Sequence, residues 1–114
     1  MKTWEMIKTL MEYPEARFMR QSEIVSKTLV CMKNNMIIYE KSGKLFELTS
    51  VNLQANWVRL WEADFMTAFK AWRSGKTIIW EDDKYQQILR PTLLVDMEIR
   101  MSQIDNGKWY IIED

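Results

Sequence analysis

The run from Asp64 to Glu81, D-F-M-T-A-F-K-A-W-R-S-G-K-T-I-I-W-E, constrains this chain more than any other. Asp64 can cap a helix by accepting hydrogen bonds from the free amides of its first turn. Phe65, Ala68, Phe69 and Trp72 recur at helical spacing and predict one apolar stripe. Gly75 follows, a residue that takes the positive φ on which helices commonly end. Lys76-Thr77-Ile78-Ile79-Trp80 is β-branched and aromatic and predicts a buried strand. No reactive group lies in this run, so it specifies structure and leaves function open.

Upstream, Thr3 is expected to cap a first helix carrying Trp4, Ile7, Leu10 and Met11 on one side. Pro14 stops that helix, because proline pushes Tyr13 out of helical geometry. Ala16 to Gln21 reads as a short strand and Gln21 to Lys27 as a polar loop. Thr28 to Met32 and Met36 to Glu40 read as a hairpin joined at Lys33-Asn34-Asn35, since asparagine tolerates the positive φ of a tight turn. A second turn at Lys41-Ser42-Gly43-Lys44 leads to an expected strand from Leu45 to Leu48. Ser50 to Asn56 reads as an irregular polar crossing, and Trp57 to Trp61 as a further strand. Beyond the acidic turn Glu81-Asp82-Asp83, Lys84 to Arg90 is a weaker strand ended by Pro91. Leu93 to Met101 alternates Val95, Met97, Ile99 and Met101 with Asp96, Glu98 and Arg100, the pattern of a strand with one face buried. Ser102 to Gly107 reads as a second polar crossing before a last strand, Trp109 to Ile112.

The two halves resemble each other. Each opens on a short amphipathic helix, continues through strands, and closes on a serine, six residues and a tryptophan, Ser50 to Trp57 and Ser102 to Trp109. The spacing predicts a duplicated unit, residues 3–61 and 64–113, within a single domain spanning residues 1–114. The expected fold class is α+β: a mainly antiparallel β-sheet with two short amphipathic helices, in two related halves that share a core.

Composition removes several function classes. Sixteen basic and sixteen acidic residues leave no net charge, against the cationic footprint of non-specific nucleic-acid binding. Histidine is absent, which removes the usual general base at neutral pH and the commonest metal ligand. With Cys31 as the one cysteine, neither an internal disulfide nor a structural zinc site is expected. Within Leu29-Val30-Cys31-Met32, Cys31 reads as a buried, inert thiol. No apolar run approaches the ~20 residues of a membrane span. Gly75-Lys76 lacks the partners of a phosphate loop, and the acidic turn reads as solvated rather than as a cation site. These readings predict a non-enzyme with no cofactor, no metal and no membrane or nucleic-acid partner, working in the cytoplasm.

The six tryptophans are the other feature that bears on binding, because aromatic rings stack on nucleotide bases. Most stand at positions expected to face a core. Trp57, Trp61, Trp80 and Trp109 stand near strand ends, where a ring can line a pocket mouth. Arg59, Arg73, Lys76 and Arg90 stand near similar ends and suit a phosphate or carboxylate. Arg59, Arg73, Lys76, Trp80, Arg90 and Trp109 are therefore the candidate ligand-binding set.

The segment F-M-T-A-F-K-A-W-R-S-G-K-T-I-I from Phe65, with G-K-W-Y-I-I-E from Gly107, resembles the second family of Thoeris anti-defence proteins of phages. Those proteins open on a phenylalanine-led helix ending in Gly-Lys and finish on an Asp/Asn-Trp-hydrophobic-Glu strand. The first half, ending A-N-W-V-R-L-W-E from Ala55, is a looser match. The resemblance implies a phage or prophage accessory protein of the bacterial host cytoplasm. It implies a homo-oligomer that evades immunity by sequestering a cyclic-nucleotide signal, with direct docking on a bacterial defence protein as the alternative. Where the family carries an arginine and a Gly-Trp pair, this chain has Trp80-Glu81-Asp82-Asp83-Lys84, an acidic turn that repels phosphate.

Overall fold

The computed structural model describes residues 1–91 and 100–113. The fold is α+β, with short helices interleaved among antiparallel strands. Two compact units divide the chain, Met1–Leu60 (unit 1) and Trp61–Glu113 (unit 2).

Unit 1 runs α1 (Thr3–Glu12), β1 (Arg17–Arg20), a 3-10 turn (Ser26–Thr28), β2 (Val30–Lys33), β3 (Met36–Tyr39), α2 (Ser50–Gln54) and β4 (Trp57–Ala63), whose last residues pass the division. Its strands lie in the order β3-β2-β1-β4. The hairpin forms at the expected asparagines: Asn34 and Asn35 hold φ of 52° and 62°, as a two-residue turn between twisted strands requires. Met6, Leu10, Ala16, Phe18, Val30 and Trp57 make the core, and Phe46 meets Trp57 edge-on at 5.7 Å between centroids.

Three expectations in this unit are corrected. Thr3 does not cap α1 from outside but is buried within it, and the inward stripe is Thr3, Met6 and Leu10, with Trp4 and Met11 67% and 71% exposed. The helix is rotated because the Thr3 hydroxyl is tied inward: it donates to the Asn52 carbonyl and accepts from Trp57 Nε1. Ser50 to Asn56 is not irregular, since Thr49 Oγ1 accepts from the Asn52 amide at 3.1 Å and starts α2. Leu45 to Leu48 is not a strand. Leu45 makes one isolated bridge to Ile38, and Leu45 and Leu48 remain exposed.

Unit 2 runs α3 (Phe65–Arg73), β5 (Ile78–Glu81), β6 (Gln86–Leu89), α4 (Met101–Asp105) and β7 (Lys108–Glu113), its strands in the order β7-β5-β6. Asp64 caps α3 by accepting from the Thr67 amide at 2.7 Å, a bond that holds its carboxyl below the usual range. Gly75, with φ of 102°, follows its end. The stripe of α3 packs Ala68 and Trp72 with Ile78, Trp80 and Trp109, and Phe65 lies 5.1 Å from the Trp109 ring. Residues 93–99 of the expected strand from Leu93 to Met101 lie outside the described residues; Met101 itself opens α4, which replaces most of the second expected crossing.

Each unit runs through a helix, a strand, an antiparallel neighbour, a five-residue helix and a closing strand that returns to pair with the first. Ser50 and Ser102 fall in the five-residue helices, and Trp57 and Trp109 stand at the starts of the closing strands. Opposite Trp57 stands Arg20; opposite Trp109 stands Trp80.

The Trp80 position depends on Gly107. A Cβ there would lie 2.6 Å from the Glu81 carbonyl oxygen and 2.7 Å from Trp80 Nε1, at a backbone φ of +82°. Gly107→Ala is therefore expected to cost about 2–5 kcal/mol, a left-handed backbone penalty plus overpacking. Gly75→Ala, which meets nothing within 4 Å, should cost only the backbone part, about 1–2 kcal/mol. Denaturant unfolding of the two variants checks the difference.

Candidate functional site

The candidate site is a cleft of about 540 Å³ in unit 1, lined by residues of β1, β3, α2 and the segment before α2. Its size falls within the range of small-molecule pockets. Asn52, 4% exposed, organises the wall. Its Nδ2 donates to Tyr39 Oη at 3.1 Å and to the Glu47 carbonyl at 2.7 Å, while its Oδ1 accepts from Arg20 Nη2 at 3.0 Å. One side chain thus fixes a strand tyrosine, a loop carbonyl and a guanidinium. Because Tyr39 Oη accepts from Asn52, its own proton remains to be donated.

Arg20 is the principal charge here. Its guanidinium stands 5.8 Å from the centroid of the Trp57 ring and keeps 22% of the side chain exposed. Glu23 approaches Arg20 Nη1 only to 4.0 Å, whereas Lys27 Nζ reaches the same carboxylate at 2.8 Å. That bond from Lys27 is the main reason the Glu23 carboxyl lies below its usual range. The Arg20 charge is thus partly uncompensated, and its Nε is buried with no hydrogen-bond partner among the described residues. Thr28 holds the adjoining loop, its hydroxyl bonded to the Glu23 and Val25 carbonyls at 2.9 Å each. Lys44 adds a second cation to the lining against one carboxylate, Glu47, and Leu45 and Val51 supply apolar surface. The arrangement suits a small anion with an apolar body.

A cleft of about 480 Å³ in unit 2 has the opposite character. Glu81, Asp82 and Asp83 face it against Lys108, with Asn106, Gly107 and Tyr110 completing the wall. The Asp82 carboxylate accepts from the Lys84 and Tyr85 amides at 2.8 and 2.7 Å, which holds its carboxyl below the usual range. Glu81 Oε2 accepts from Gln86 Nε2 at 3.0 Å. Asp82 thus shapes the turn, and no group of three potential metal ligands converges among the described residues.

The candidate residues read from the sequence line neither cleft. Trp80 and Trp109 are brought together as partners across β5 and β7, but in the core, 8% and 3% exposed. Their indole N–H groups donate to the Asn106 and Gln103 carbonyls, each at 3.0 Å. Arg73 ends α3 and Lys76 follows it, both exposed, while the Arg90 carbonyl accepts from Trp72 Nε1 at 3.0 Å. Arg59 lies in unit 1 with its guanidinium 5.5 Å from the Tyr13 ring centroid. Cys31 is half-buried rather than buried as expected, and burial is the main reason its thiol is pushed up.

Arg20 and Tyr39 are the last residues of β1 and β3, yet strand-end position alone does not single them out, and Lys44 and Asn52 lie outside the strands. The sequence signal for this wall is Thr49, an N-cap residue type that marks a helix start and so places Asn52 in the first turn of α2. Comparison of the chain with known protein families, curated proteins and solved structures gives no match.

Asn52→Ala should remove the wall's support and leave polar partners unpaired, destabilising unit 1 by about 2–4 kcal/mol. Thermal or denaturant unfolding checks this; a loss below about 1 kcal/mol would show that the network carries little.

Proposed function

We propose that this chain is a non-enzymatic anti-defence protein of a phage or prophage that sequesters an anionic, cyclic-nucleotide immune signal in the unit 1 cleft. The observation that carries the reading is the lining of that cleft, where Arg20 and Lys44 offer charge, Tyr39 a hydroxyl donor, and Leu45 and Val51 a surface for a ring. The likeness of the Phe65 and Gly107 segments to the Thoeris anti-defence proteins supports the same class. The absence of histidine supports capture over catalysis. On this reading the protein works in the bacterial host cytoplasm as a homo-oligomer. No helix among the described residues is long and apolar enough to cross a membrane.

A second reading is favoured by one specific feature. Leu45, Leu48, Val51 and Leu53 lie within one short segment and are 57–63% exposed. Exposed apolar side chains at this density suit docking on a bacterial defence protein. The two readings differ in what the purified protein carries. Incubated with extract from defence-activated cells and then heat-denatured, it should release a nucleotide at near-stoichiometric yield, and calorimetry should show that nucleotide rebinding. Silent calorimetry with a stoichiometric host protein retained on a tagged copy would replace capture by docking.

A further inference from the structure

The two units place different residues opposite the tryptophan of the closing strand, and unit 1 adds β3 and the segment after it, which supply most of the lining of its cleft. In unit 1, β1 pairs with the closing strand so that Arg20 faces Trp57; in unit 2, β5 pairs with its closing strand so that Trp80 faces Trp109. The arginine leaves a cleft beside it, with its charge partly uncompensated and its Nε without a partner among the described residues. Trp80 is instead 8% exposed, its N–H is committed to the Asn106 carbonyl, and Gly107 leaves no room for one further carbon against it. The neighbouring cleft of unit 2 faces Glu81, Asp82 and Asp83, a wall that repels anions.

The geometry points to an anion site in unit 1 that has no counterpart among the described residues of unit 2, with Arg20 as the contact and Asn52 as its positioning residue. The ligand class is a small organic anion, its phosphate or carboxylate at Arg20 and an apolar body against Leu45 and Val51. A phosphate or carboxylate oxygen suits Arg20 because a planar guanidinium presents several donors in a fixed fork, of which Asn52 takes only one. Asn52 acts through Arg20 and Tyr39, holding both donors from a buried position. This inference rests on reading the unit 1 cleft as the binding site; it does not require the ligand to be a cyclic nucleotide.

Phenyl phosphate is the probe, titrated into the labelled full-length protein with inorganic phosphate alongside. The expected result is one phenyl phosphate per chain, perturbing the Arg20 Nε resonance and the Leu45 and Val51 methyls, with inorganic phosphate weaker. Arg20→Gln should weaken binding by about tenfold or more, the loss of a charge-assisted contact, while Lys70→Gln, at an exposed position of α3, leaves it unchanged. Two ligands per chain, perturbations confined to unit 2, or no perturbation at millimolar probe would overturn the inference. Unaltered affinity in a folded Arg20→Gln variant would do the same; should that variant not fold, the resonance map of the unsubstituted protein decides. Nucleotide release on heating without perturbation at Arg20 would leave capture standing and remove this site. Probe binding at Arg20 without nucleotide release would do the reverse.

Discussion

Unit 1 depends on a buried chain of hydrogen bonds that runs from Trp57 Nε1 to the Thr3 hydroxyl and on to the Asn52 carbonyl. It joins the start of β4, the first turn of α1 and the interior of α2. Thr3, Asn52 and Trp57 are 2%, 4% and 0% exposed, so each group has lost water and must find its partner in the protein. Met1 adds to the same junction, its backbone nitrogen donating to the Trp57 carbonyl at 2.7 Å. With α2 held from behind in this way, the Asn52 side chain gathers Arg20, Tyr39 and the Glu47 carbonyl into the wall of the cleft. The shape of the cleft follows from a constraint buried behind it.

Unit 2 meets the same requirement with fewer polar side chains. Its three core indoles each donate to a backbone carbonyl: Trp72 to Arg90, Trp80 to Asn106 and Trp109 to Gln103. Large rings with their single donor satisfied make a filled interior, and Gly107 shows how closely backbone approaches ring there. One order of elements thus supports a wall built on a buried asparagine in unit 1 and a closed aromatic core in unit 2. Such an asymmetry suits a division of labour in which one unit offers a polar cleft and the other supplies rigidity.

Much of this structure was legible in the residues because local chemistry decided it. Asp64 and Gly75 mark both ends of α3, and Asn34-Asn35 specify the hairpin turn through their positive φ. The matched spacing of Ser50 to Trp57 and Ser102 to Trp109 places a tryptophan near the start of a closing strand in each unit, although the residues between form a short helix and not the expected crossing. Other features were set by partners far away in sequence. Apolar residues at positions 4, 6, 7, 10 and 11 fit two rotations of α1, and the choice between them is made by a hydroxyl bonded 49 residues away at Asn52. The cleft depends on such distant partners too: Arg20 ends β1 as Arg73 ends α3, and what sets Arg20 apart is its bond to Asn52, 32 residues downstream. Trp80 and Trp109 were read as possible pocket rings because a sequence does not show that their N–H groups have carbonyl partners.

The central claim is that the chain from Trp57 through Thr3 to Asn52 acts as one cooperative unit. A double-mutant cycle tests it most directly: Thr3→Val, Trp57→Phe and the pair together, with unfolding followed by denaturant titration. Both residues share one buried bond, Trp57 Nε1 to Thr3 Oγ1 at 3.0 Å. The account predicts a coupling energy of about 1–3 kcal/mol, the double variant losing less than the sum of the single losses. Losses that add to within about 0.3 kcal/mol would contradict it, because the tryptophan and the threonine would then stabilise the unit independently.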